Sequence, residues 1–170
     1  QAFGVSSNQG AQLANGQHLL LLNNDIEFTH DPLPAMLRAL GAPGVAAVGA
    51  RLAEPVVQAD GSLRPVLHHD GIGFRLLHGA EHGRSLWLPY EVEAEAADPA
   101  EGPDAVPAAT AAMLLLRKAD FLALGGFEPG FDYGLEDVDF CLRLRSCGSR
   151  IDYEPSEVGK HVGGHSVDTL

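Results

Sequence analysis

Two short bursts of oxygen-bearing side chains in this chain each stand at a place where a chemical site can be built. The first follows the apolar run Leu19-Leu20-Leu21-Leu22 as Asn23-Asn24-Asp25-Ile26-Glu27, and the second is Glu136-Asp137-Val138-Asp139, which opens an amphipathic stretch ending in Leu142-Arg143-Leu144-Arg145. Carboxylates at the exit of a buried strand are the hard donors that magnesium takes together with phosphate oxygens and water. A carboxylate within reach of a hydroxyl can accept its proton. A third piece, His161-Val162-Gly163-Gly164-His165-Ser166, adds imidazole nitrogens, which suit manganese as well as softer ions. Each piece also has an ordinary explanation. Asn and Asp form turns, acids in a first helical turn complement the helix dipole, and a Gly- and His-containing tail is commonly a loop.

The elements around these pieces set where they fall. Residues 18 to 23 are too short and too uniformly apolar for an amphipathic helix, and are expected to form a central parallel strand covered on both faces. Ligands gather at the carboxyl ends of such strands, where Asn24 and Asp25 stand. Residues 8 to 14 are helix-compatible, with Asn15-Gly16 as a stop. Asp31 is the expected N-cap and Pro32 the first position of a helix over 33 to 40 that ends at Gly41, and 45 to 52 is the next strand. This alternation predicts a doubly wound α/β sheet. Residues 54 to 108 are less regular, with a turn at Asp60-Gly61, a polar His68-His69-Asp70-Gly71, and an Ala-, Glu-, Asp- and Pro-rich stretch from 90 to 107 expected to be a mobile surface loop. From Ala108 the pattern predicts a strand to 116, a helix over 118 to 124, a break at Gly125-Gly126, the acidic helix from about 135 to 147 stopped by Gly148, and a short strand at 151 to 153.

Composition narrows the function classes. The 170 residues suffice for one domain with a single core, and 45% apolar with 20% charged residues is globular composition. A net charge of -12 argues against a nucleic-acid partner, whose phosphates need clustered Lys and Arg. An acidic chain that binds a diphosphate needs a divalent cation to reverse the local sign of charge. Cys141 and Cys147, six apart on one expected helix, are about 9 Å apart at the helical rise and do not reach a disulfide. They suit a reducing compartment. No apolar stretch approaches the length of a membrane span.

Taken in order, the motifs resemble the family 2 glycosyltransferases, enzymes of GT-A fold. The matching stretches are Ser7-Asn8-Gln9-Gly10, the Leu-rich Asn-Asn-Asp strand, 44 to 52, 109 to 118, Leu124-Gly125-Gly126-Phe127-Glu128, Leu135-Glu136-Asp137-Val138-Asp139-Phe140 and the His-x-x-Gly-x-Ser ending. The resemblance implies a Rossmann-like, mostly parallel sheet with flanking helices, a nucleotide diphosphate sugar as donor, Mg2+ or Mn2+ as cofactor, and a glycan or lipid-linked acceptor. In the family a strand, a helix and two further strands that hold the nucleobase come first. This chain opens in the helix that follows them, so residues 1 to 170 read as a single partial, N-terminally truncated catalytic domain.

By that resemblance Asp25 is the metal contact of an Asp-x-Asp-like element whose first acid is replaced, Asn24 a supporting or ribose-side contact, and His161 the residue that completes the metal shell. His165 and Ser166 lie near the pyrophosphate. The base of an inverting reaction falls on Glu136-Asp137, with Asp137 favoured and Glu136 open; Asp139 is structural, and Glu27 is a second ligand or, as favoured, solvated. Gly159, Gly163 and Gly164 make the tail from 158 to 167 flexible, so without its nucleotide His161 is expected to be displaced and unligated; ordering costs roughly 1 to 2 kcal/mol per residue. Trp87 could stack on a sugar or anchor a loop. His18, His30, His68, His69, His78 and His82 have no partner at a diagnostic spacing. Polysaccharide biosynthesis in a bacterial cytoplasm, at the inner membrane face through parts of the parent protein outside this chain, completes what the resemblance implies. A nucleotidyltransferase and a non-catalytic sugar-binding or scaffold domain of the same fold are the competing readings.

Overall fold

The computed structural model describes residues 3–57, 61, 63–68, 70–78, 85–91, 104–131 and 134–161. In chain order they form α1 (Phe3–Leu13), β1 (His18–Leu22), β2 (Ile26–Phe28), α2 (Leu33–Leu40), β3 (Val45–Val57), β4 (Leu63–His68), β5 (Ile72–His78), β6 (Ser85–Glu91), β7 (Asp104–Ala105), β8 (Met113–Arg117), α3 (Lys118–Ala123), α4 (Glu136–Ser146) and β9 (Arg150–His161). The main sheet runs β1-β8-β3-β9-β2, with β4 added on β3 and β7 on β9, and β5 and β6 make a separate two-stranded ribbon.

The α/β class with flanking helices stands, but the sheet is mixed rather than mostly parallel. Among the described residues β3 and β9 are the parallel pair, while β8 returns antiparallel between β1 and β3, and β4 folds back on β3 across the turn at Gly61. Strand β1 is therefore not central and not parallel: it ends the strand order, paired antiparallel with β8. Its leucines nonetheless face both ways. Leu19 and Leu21 enter one core cluster and Leu20 packs against the other, which is why the run carries no alternation.

Helix α2 begins one residue later than its sequence suggests, with Pro32 rather than Asp31 at the N-cap position, although the Asp31 carboxylate still serves the helix start. Asp31 Oδ1 accepts the Leu33 N–H at 3.0 Å, and the Pro32 carbonyl takes the N–H groups of Ala35 and Met36. Three phenylalanines, all fully buried, fix the other helices: Phe121 of α3, Phe127 of the following loop and Phe140 of α4 meet at ring distances of 5.0 to 5.6 Å, two of the three pairs edge-to-face. Such pairs add roughly 0.5 to 1.5 kcal/mol each beyond their burial. Asn8 ties α1 to the same loop, its side chain bonding both the N–H and the carbonyl of Phe127. Arg143 of α4, oriented by Asp139 at 2.8 Å, donates to the carbonyls of Leu124 and Gly126. Asp139 is thus engaged in holding the fold.

Two stretches are more regular than composition suggested. β9 continues from the expected 151–153 to His161, because it pairs parallel with β3 and then antiparallel with β2, passing register shifts near Ala50 and Arg51. Of residues 90–107, Tyr90 and Glu91 end β6 and Asp104–Ala105 form β7, while 92–103 lie outside the described residues. Both cysteines are free. Cys147 is exposed, and Cys141 is buried, its thiol pushed up to about 12 by that burial.

Candidate active site

A cavity of about 630 Å³ opens at the ends of β1 and β8. Asn23, Asn24 and Asp25 line one side, Thr110, Ala111 and Ala112 the approach to β8, and residues 134–138 the opposite side, with Phe3, Ile72, Pro89 and Tyr90 closing it. The carboxylates that lie far apart in sequence are thereby brought to one space. Ladder geometry does this: Asn23 N–H bonds the Ala112 carbonyl, so the turn leaving β1 is held beside the residues that lead into β8.

Asp25 stands in that turn, between β1 and β2. Its Oδ1 is buried, makes no hydrogen bond, and faces His161 Nε2 at 3.2 Å. Asn23 Nδ2 is 3.5 Å from the same ring nitrogen. The expectation that His161 lies displaced fails here, for a physical reason. His161 is the last residue of β9, opposite Ile26 in the β2 ladder, and Gly159 serves close packing rather than flexibility: a Cβ there would sit 2.5 Å from the Glu27 carbonyl oxygen. His165 and Ser166 lie outside the described residues.

These atoms fit a hard divalent ion. Neighbouring ligands of an octahedral magnesium are about 3 Å apart, which is the spacing of Asp25 Oδ1 and His161 Nε2. Among the described residues no group of three or more His, Cys, Asp or Glu side chains forms a ready-made cage. An ion held by two protein atoms takes its remaining ligands from phosphate and water.

On the other side, the two acids of α4 have different surroundings. Asp137 is fixed by backbone: its Oδ2 accepts the Ala111 N–H at 2.9 Å and its Oδ1 its neighbour Val138 N–H at 2.8 Å. Glu136 is only 8% exposed, lies against Gly4 of α1, and its Oε2 has no hydrogen-bond partner. Burial holds its carboxyl above the usual range, opposed by its backbone hydrogen bond and reinforced by the Asp137 charge.

Sequence reasoning passed over Leu135. This residue precedes α4 with φ 70, the left-handed region, and lines the cavity with its side chain half exposed. Leucine is a rare occupant of that region. The signal was Gly134 directly before it, also at positive φ. Asn23, Ile72, Pro89 and Tyr90 were likewise unassigned, the last three because the ribbon that carries them showed no motif.

No family model matches the chain. Its sequence is 31% identical over 163 residues to the O-antigen biosynthesis protein RfbC of Myxococcus xanthus, covering 88% of this chain and 11% of that protein. It is 38% identical over 52 residues to the rhamnosyltransferase WbbL of Escherichia coli K12, covering 31% and 20%. A crystal structure of GalNAc-T7 with UDP, GalNAc and Mn2+ superposes with a TM-score of 0.64 over 95% of this chain and 30% of that one, at 16% identity. The chain has the GT-A fold of that structure and is similar in sequence to glycosyltransferases. This agrees with the family 2 resemblance of its motifs. The chain spans only about a tenth to a fifth of the length of these two curated relatives.

Proposed function

We propose that this domain works in a metal-dependent, inverting glycosyltransferase that moves a sugar from a nucleoside diphosphate to an acceptor hydroxyl. The observation that carries the proposal is the placement of Asp25, in contact with His161, and of Asp137 around one cavity. Asp25 and His161 would hold Mg2+ or Mn2+, and the ion, when bound, offsets the negative charge that develops on the leaving diphosphate. Asn24 borders the donor side. His165 and Ser166 are assigned to the diphosphate on the motif alone.

Asp137 is the better base of the two acids. Its carboxylate is already oriented by two backbone N–H groups, keeps lone pairs for a hydroxyl proton, and lines the cavity. As the acceptor oxygen bonds to the anomeric carbon, the bond from that carbon to the diphosphate oxygen breaks and the hydroxyl proton passes to Asp137. Attack opposite the leaving group inverts the configuration. Glu136, packed against Gly4 and biased toward its neutral form, supports the helix start instead.

Polysaccharide building, in a bacterial cytoplasm or at the inner face of its membrane, belongs to the same proposal and is supported by the likeness to RfbC and WbbL. No described helix is long and apolar enough to cross a membrane. The deciding experiment is donor hydrolysis and transfer by the protein that carries this chain, with and without manganese. Turnover that needs the metal and disappears in Asp137→Asn supports the reading; donor binding with no turnover under any condition leaves a sugar-binding domain.

A further inference from the structure

The segment 108–112 ties three walls of the cavity together. The Ala108 carbonyl accepts the Ile72 N–H, the Ala111 N–H holds Asp137 Oδ2, and the Ala112 carbonyl takes the Asn23 N–H. Whatever Ile72 carries is therefore set by backbone bonds against Asp137. What it carries is the root of the β5–β6 ribbon, pinned a second time where Arg51 of β3, itself buried, makes a two-point ion pair with Asp70 at 2.7 and 2.8 Å.

Next along β5 is Gly73, and Tyr90 is its partner across the ribbon. The Tyr90 ring lies so close over the glycine that a Cβ there would meet it at 2.8 Å. Packing holds the ring in place, yet the residue is 44% exposed and lines the cavity. An aromatic face carries the negative end of the ring quadrupole. A pyranose presents to one side a row of C–H groups made electron-poor by the oxygens on the same carbons, so the two faces attract, and a ring already held loses little freedom on contact. Thr110, on the segment that orients Asp137, adds a polar point. Its Oγ1 accepts the Ala112 N–H at 3.2 Å, which leaves the hydroxyl proton to donate into the cavity that Thr110 lines.

We propose that Tyr90 is the platform for the acceptor sugar: a pyranose lies with a C–H face on the ring and turns its hydroxyls toward Thr110 and Asp137. The inference rests on the reading of Asp137 as the base. It adds a requirement on the acceptor, a closed ring with one face clear of axial hydroxyls, which an open-chain polyol of the same hydroxyl count does not meet.

Saturation-transfer NMR on the protein that carries this chain tests the platform without turnover. The probes are the methyl pyranosides of glucose, galactose and mannose, with glucitol as the open-chain control. At least one pyranoside should receive saturation concentrated on the C–H groups of one face, and glucitol should receive none. Tyr90→Ala should weaken the signal several-fold and Tyr90→Phe should keep it, both at unchanged melting temperature. Should Tyr90→Ala lower the melting temperature, Tyr90→Leu covers Gly73 with an apolar side chain that has no aromatic face, and the same loss is expected. Asp137→Asn should keep the face pattern, so failure of the platform and failure of the catalytic reading are told apart. Silence from all three pyranosides, an equal signal from glucitol, or a signal that survives in both Tyr90→Ala and Tyr90→Leu overturns the inference. So does displacement of the sugar by manganese with UDP, which assigns the ring to the donor side.

Discussion

The side chain of Asn8 pairs with the backbone of Phe127 as a neighbouring strand would, Oδ1 accepting its N–H at 2.8 Å and Nδ2 donating to its carbonyl at 2.8 Å. A single amide thus joins α1 to the loop that precedes the acidic helix. Gly126 is bare to admit it, since a Cβ there would meet Asn8 Oδ1 within van der Waals contact. Replacing Asn8 with Ala strands both Phe127 groups beside a fully buried ring, and should lower stability by about 2 to 4 kcal/mol in urea unfolding. Asn8→Asp keeps the acceptor and loses the donor, so its loss should be intermediate or larger according to how far the new charge is desolvated; an effect near zero for Asn8→Ala would remove the clasp from the fold's stability.

Asp25→Ala and His161→Ala should each weaken manganese-dependent binding of a nucleoside diphosphate by more than the roughly 10- to 100-fold typical for loss of a supporting group around a metal. Isothermal calorimetry on the protein that carries this chain measures it. Asp25 sits in a turn, so its melting temperature should stay within a few degrees. Unchanged affinity in both variants would detach these residues from any ion.

Asp137→Asn should cost roughly 100- to 10,000-fold in turnover while leaving donor affinity near normal, the range expected for loss of a general base. The amide oxygen can still accept the Ala111 N–H but its Nδ2 would face the Val138 N–H, so the melting temperature measured beside the rate separates lost base from disturbed fold. Glu136→Gln should retain most of the rate. Equal losses in the two variants would mean that the pair acts as a unit.

Glu136 carries a pH signature. Because burial raises its folded value, the folded chain holds this proton at pH values where the unfolded chain has released it. Stability therefore declines as pH rises from the ordinary carboxylate range through the raised value, and the penalty is fully present above it. Glu136→Gln should be more stable than the unmodified chain near neutrality, and the two should converge toward about pH 4. Denaturant unfolding at several pH values tests the slope; parallel curves would contradict it.

Leu135 at φ 70 is a position that rewards glycine and punishes branching. Leu135→Gly should leave the melting temperature equal or higher, whereas Leu135→Val should lower stability by about 1 kcal/mol or more. If the valine variant is as stable as the parent, the left-handed turn ahead of α4 carries no strain.

The sequence carried the chemistry more clearly than the sheet. Asn23-Asn24-Asp25 and Glu136-Asp137 stood out because oxygen donors follow apolar or amphipathic runs, and they do line one cavity. Helix ends were legible wherever a turn residue does local work, as Asp31 does for Leu33 and the Gly125-Gly126 pair, both at positive φ, does after α3. Strand direction was not, since a run such as Leu19 to Leu22 buries both faces equally well in a parallel or an antiparallel ladder. The place of His161 was hidden for a related reason. Three glycines near it suggested a loose tail, but a glycine is equally the residue that lets one strand pass close over another, and only the partner strand β2 shows which meaning Gly159 has.

Strand β3 has a consequence for how this molecule comes into being. One edge of β3 holds β8, whose approach carries the Ala111 amide that fixes Asp137, and the other holds β9, which ends in His161. Those ladders join distant stretches of chain, so loop closure must precede nearly every contact that gives the pocket its chemistry. The nascent polypeptide therefore has no early, half-competent form of this site: until β9 is synthesised and set beside β3 that edge of the sheet stays open, and this interval is when these residues are most exposed to aggregation.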